Sequence, residues 1–179
     1  MLYAPVTGGL ELRAEADGSH VIAGRFPYGA EAELGRGRFE TFAPGSLHAQ
    51  PDVHLLAQHD YARPLASRKS GSLTLTNTAE GLAFEARISP DVANTSHGRD
   101  TLALVRAGLS VGLSPGFRVR LDGERVERRS DGVLRTVHGA DLFELSVVTR
   151  PAYDAAQVEA RSWQPARGPR PVPAAWRWR

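Results

Sequence analysis

Apolar and polar positions alternate with a period of two along much of the chain. The pattern is clearest at Leu73 and Leu75, at Leu82, Phe84, Ala86 and Ile88, and at Phe117, Val119 and Leu121 with arginines between. Such alternation predicts strands with one face buried. Further strands are predicted over residues 11–14, 20–26, 38–42, 54–58 and 134–138, separated by turn signals at Asp17-Gly18, Glu80-Gly81, Asp122-Gly123 and Asp131-Gly132. One helix is predicted over 94–106: Asn94 or Thr95 can cap it, Leu102 and Val105 or Leu104 can face a core, and Gly108 ends it. A shorter helical turn is predicted after Pro44, over 45–49. Without an internal repeat or a strand-helix-strand rhythm, a doubly wound parallel sheet is not expected. The expected fold is α+β and mainly β, a mostly antiparallel sheet or barrel flanked by a few helices.

The pattern changes near residue 160, where Pro165, Pro169, Pro171 and Pro173 oppose both helix and central strand. Residues 1–159 are expected to form one domain, and residues 160–179 an extended Pro/Arg/Trp-rich tail. Charge follows the same boundary: five of the 22 basic residues lie after Glu159, leaving 17 basic against 20 acidic, or −3, before it. The tail ends in Trp176, Arg177, Trp178 and Arg179, a composition that suits stacking on nucleic acid or docking on an acidic partner, and equally an exposed terminus with no contact. No stretch approaches the roughly 20 apolar residues of a membrane-crossing helix. Met1 to Leu12 lacks the basic region and apolar run of a signal peptide, so a cytoplasmic protein, or one of something assembled there, is expected. With no cysteine in the chain, thiol nucleophiles and cysteine-ligated zinc are excluded, leaving hydroxyl, imidazole and carboxylate groups for covalent or acid-base chemistry.

The segment from Ala107 to Val119 sets Ser110 and Ser114 among glycines, where other backbone can approach closely; the same serines would also suit an irregular turn from helix to strand. Gly112 to Gly116 matches G-x-S-x-G, the nucleophile elbow of α/β-hydrolases, but fails it three times. The helical pattern precedes the serine and the strand follows, Pro115 has no N–H to donate to an oxyanion, and His138 is the only histidine downstream. An upstream base is therefore the better partner. His59, in Gln58-His59-Asp60 at the end of an apolar run, can accept a serine proton while its other ring nitrogen is held by a third group. Within Asp141 to Ala152, if Phe143, Leu145 and Val147 share one strand face, Glu144 and Ser146 lie on the other with Leu142 and Val148. Glu144 can orient His59; an exposed strand face or a salt bridge with an arginine fits the pattern equally. No ligand spacing for a metal is present, and no cofactor is expected.

Taken in order, these pieces resemble the prohead maturation proteases of tailed bacteriophages, relatives of the herpesvirus assemblin serine proteases. Four blocks carry the likeness: Val21-Ile22-Ala23-Gly24 with Phe42-Ala43-Pro44-Gly45-Ser46-Leu47, then Gln58-His59-Asp60, then Gly112 to Val119, and last Glu144 to Ala152. The resemblance implies Ser114 as nucleophile, His59 as general base and Glu144 as the third member, with His138 as the alternative because the herpesvirus relatives use a second histidine. It places the nucleophile at Ser114 rather than Ser110. An oxyanion donor is then sought near Gly116 or Arg150. Where this family usually has a glycine near Ala66, the chain reads Tyr61-Ala62-Arg63-Pro64-Leu65-Ala66. A herpesvirus-protease-like β-barrel is implied, with self-cleavage open. So is endoproteolysis through an acyl-enzyme, with scaffold or major capsid protein as substrate inside a procapsid in the host cytoplasm. Self-association into a homo-oligomer is left open. The competing expectations are a noncatalytic capsid-assembly or scaffold component on the same fold, and nucleic-acid binding through the tail.

Overall fold

The computed structural model describes residues 10–110 and 112–149, together with the backbone of Leu2–Tyr3. The predicted tail and Arg150 lie outside the described residues. In chain order the elements are β1 (Leu2–Tyr3), β2 (Glu11–Ala14), β3 (His20–Pro27), β4 (Ala32–Gly35), β5 (Arg38–Phe42), β6 (Leu47–Ala57) and β7 (Asp60–Ser67). There follow β8 (Leu73–Asn77), β9 (Gly81–Ile88), α1 (Pro90–Ala93), α2 (Ser96–Arg106), β10 (Gly112–Val119), β11 (Glu124–Arg129), β12 (Gly132–Val137) and β13 (Ala140–Val148). The chain is thus mainly β, as the alternation predicted.

The strands form three sheets, ordered β1-β10-β13-β6-β7, β11-β12-β5-β4 and β2-β3-β9-β8. Most pairings are antiparallel, but β12 pairs with β5 and β13 with β6 in parallel. No closed barrel forms among the described residues, which corrects that expectation: the outermost strands of each sheet keep an unpaired side there. A series of edge-to-face aromatic contacts ties the three sheets into one core. Phe42 of β5 meets Phe26 of β3 at 5.0 Å and Phe117 of β10 at 5.1 Å between ring centroids. Each such pair contributes about 0.5–1.5 kcal/mol beyond the area it buries.

The predicted helix is α2. Thr95 rather than Asn94 is its N-cap, with the side-chain oxygen accepting from Gly98 N–H at 3.0 Å. Past its end, Gly108 adopts φ 67°, the left-handed conformation that closes helices and favours glycine. Leu102 is buried and Val105 packs against the core. The helical turn predicted over 45–49 is not formed. Leu47 begins β6 instead, because its side chain is buried in the core and its strand pairs with β13. Leu121, expected to continue the strand alternation, is 95% exposed in the turn after β10.

Candidate active site

β10, β13 and β6 lie side by side, and the alternation of each sends one set of side chains to the core. Leu113 and Phe117, then Leu145 and Val147, then Val53, Leu55 and Ala57 belong to the hydrophobic cluster. Ser114 and Gly116, Glu144 and Ser146, and His54 and Leu56 consequently share the opposite face. The strand register sets them abreast: Ser114 stands opposite Ser146, and Gly116 opposite Glu144. The helix therefore leads not into an irregular turn but into a strand that contains Ser114 itself. Pro115 is tolerated there because β10 has a described partner on only one side of it, β1 pairing only with Gly116 and Phe117.

One expectation about β13 is corrected. Leu142, not Phe143, joins Leu145 and Val147 in the core, because the pairing slips between Leu142 and Glu144. The irregularity resets the alternation, as a β-bulge does. Phe143 is left half-buried under the Arg118 guanidinium, 5.3 Å from its ring centroid.

His59 reaches this face through the turn between β6 and β7. Ala57 pairs with Asp60, so Gln58 and His59 are the two central residues of a hairpin, with φ of 55° and 61°. Positive φ at both positions is the type I′ pattern, which usually recruits Asn and Gly. Here neither residue is glycine, and contacts with the end of β13 hold the conformation. Gln58 N–H donates to Val147 O at 3.0 Å, Gln58 Nε2 to Thr149 Oγ1 at 3.0 Å, and His59 N–H to Ser146 Oγ at 3.1 Å. Thr149 Oγ1 also lies 3.3 Å from Ser110 Oγ, tying the turn to the residues that lead into β10.

The turn brings His59 Nδ1 to 2.8 Å from Glu144 Oε1. Glu144 is 0% exposed, and its other oxygen accepts from Ser146 Oγ at 2.6 Å. Burying a carboxylate costs several kcal/mol unless it is paired and hydrogen-bonded, and here both oxygens are engaged. A carboxylate acceptor suits an imidazole proton on Nδ1, the tautomer that carries its lone pair on Nε2. Ser114 Oγ is buried and has no hydrogen-bond partner among the described residues.

The structure thus joins His59 to Glu144 and sets Ser114 on the same face. His138 is exposed in the turn before β13, with its N–H donating to Gly123 O, away from the His59 turn. Ser146 is the member of the site that sequence reasoning passed over, although alternation already set it beside Glu144. Nothing local in the sequence marks Gln58-His59 as a tight turn. No group of metal-ligating side chains occurs among the described residues.

A family model described as caudovirus prohead serine protease matches residues 9–168. Neither the curated proteins nor the solved structures compared with the chain gave a match. The family match covers most of the 179 residues, and the chain belongs to the caudovirus prohead serine proteases, a family of serine endopeptidases of capsid maturation.

Proposed function

We propose that this protease cleaves scaffold or capsid-protein segments within the procapsid, through an acyl-enzyme on Ser114, with His59 as general base and Glu144 orienting the imidazole. The observation that carries this assignment is the contact between His59 Nδ1 and the buried Glu144, on the sheet face that also bears Ser114. In the proposed reaction Ser114 Oγ attacks the scissile carbonyl carbon while its proton passes to His59 Nε2. The tetrahedral intermediate collapses with cleavage of the C–N bond, and His59 returns the proton to the leaving amine. Water, deprotonated by the same nitrogen, then attacks the acyl carbon, and as the acyl C–O bond breaks His59 passes that proton to Ser114 Oγ. Glu144 favours the starting tautomer and stabilises the imidazolium formed midway.

Hydrogen bonding favours Ser114 among the nearby serines. Ser110 Oγ is within reach of Thr149 Oγ1, and Ser146 Oγ is committed to Glu144 and to the His59 backbone. Confinement in the procapsid adds selectivity, because enzyme and substrate share a small volume at high effective concentration.

The test is labelling of the full chain, assembled with its capsid protein, by a serine-reactive fluorophosphonate, with the adduct mapped by peptide mass spectrometry. Because Ser114 Oγ is buried, labelling requires the site to open to the probe, which makes the assembled state the one to examine. The expected result is an adduct on Ser114 that is lost in His59→Ala. A folded, assembled protein with no adduct would instead support a noncatalytic assembly role.

A further inference from the structure

We infer that Ser146 is a positioning residue, whose hydroxyl closes a hydrogen-bonded ring that fixes both the backbone and the imidazole of His59 against Glu144. This assignment rests on the role proposed above for His59. The ring runs from His59 N–H to Ser146 Oγ at 3.1 Å, from Ser146 Oγ–H to Glu144 Oε2 at 2.6 Å, and from Glu144 Oε1 back to His59 Nδ1 at 2.8 Å. A hydroxyl has one proton and two lone pairs, so Ser146 can donate to the carboxylate and accept from the backbone at once. Glu144 and Ser146 are two apart on β13 and so emerge on one face.

The ring has two consequences for the imidazole. It holds the histidine backbone in a left-handed conformation that the residue would otherwise leave. It also stops the Glu144 carboxylate from turning away from Nδ1, since its second oxygen is anchored. Ser146 stands directly opposite Ser114, and with its own proton given to Glu144 it does not compete with Ser114 for Nε2.

A hydroxyl that merely satisfied a buried carboxylate would change stability and nothing else. The two roles separate in one experiment on the full chain. Ser114 labelling by a fluorophosphonate is measured on capsid-assembled protein for wild type, Ser146→Ala, Ser146→Cys and the core truncation Ile88→Val in another sheet. Melting temperature and the ¹⁵N resonances of the His59 imidazole are read on the same variants, with His59→Ala to assign the signals. Ser146→Ala is expected to slow labelling about tenfold to a hundredfold, the scale of a misplaced catalytic group. It should also admit the Nε2–H tautomer. Ser146→Cys, a weaker donor of similar shape, should recover part of the rate, and Ile88→Val should lower the melting temperature with labelling unchanged. Wild-type labelling in a folded Ser146→Ala protein would overturn the inference. So would a loss that follows melting temperature alike in all the variants. Failure to label Ser114 in the wild type would instead sink the nucleophile assignment.

Discussion

Two buried carboxylates, Glu144 and Glu40, sit in different sheets, one met by an imidazole and the other by a guanidinium. Both are on strands of the molecule's parallel pairings, and both are nearly inaccessible to solvent. Glu40 on β5 stands in register with Arg135 on β12, whose Nη1 donates to it. The same guanidinium donates through Nε to Glu124 Oε2 at 2.7 Å. Arginine carries donors only and stays charged, so this cluster can orient strands but cannot move a proton. Glu144 is met instead by an imidazole that arrives from a turn rather than from the neighbouring strand. The difference teaches that a buried charge alone does not make a reactive site. What differs is the partner: a titratable imidazole at Glu144, a permanently charged guanidinium at Glu40.

The sharpest way to break this comparison is Glu144→Gln, which keeps the shape of the side chain and removes its charge. The amide no longer imposes Nδ1–H on His59, and the Ser114 labelling rate is expected to fall by about 10³- to 10⁴-fold. An unchanged rate would show that Glu144 is as structural as Glu40.

Arg135→Met should act in the opposite way. Removing one partner from a buried ionic cluster is strongly destabilising, and a stability loss of about 3–5 kcal/mol is expected in chemical denaturation. Labelling per folded molecule should stay at the wild-type level, and a selective loss of labelling would mean that the two clusters are coupled.

The smallest effect is expected at an exposed carboxylate, which sets a reference for the buried ones. Asp17 accepts from the side chain and the backbone N–H of Ser19, and with Arg87 nearby its pKa is lowered to about 2 from the ordinary 3.8. A depressed folded-state value means that the stabilisation is present above the unfolded value and is lost as pH falls through about 2. Urea midpoints of wild type and Asp17→Asn should therefore differ slightly near pH 7 and converge on acidification toward pH 2. A gap that widened on acidification would refute the sign.

The strands that pattern analysis passed over share one location. β4, β7 and β11 are all outermost strands of their sheets. β7 is exposed from Tyr61 to Pro64, and Glu124–Arg129 is mostly charged, so neither shows the clean alternation of a half-buried strand. Charge and proline are how outer strands avoid pairing with other chains, and the same features hide them from a hydrophobic pattern. The interior strand β9 was legible because it buries Leu82, Phe84, Ala86 and Ile88 at alternate positions. At the bulge in β13 alternation gave the wrong partner for Leu145, since a one-residue irregularity reverses every side chain before it.

The sequence by itself determined the mainly β character and the capped helix before the serine strand, which follow from local physics, period and caps. It offered His59, Ser114 and Glu144 as a set only through the family resemblance. Only the tertiary structure decided that Glu144, and not the exposed His138, meets His59 across 85 residues of chain. That meeting needs a parallel pairing of β6 with β13, a bulge that sets the register, and a left-handed turn anchored on Ser146 and Val147. Each is stabilised by contacts between distant residues, and no local propensity encodes them.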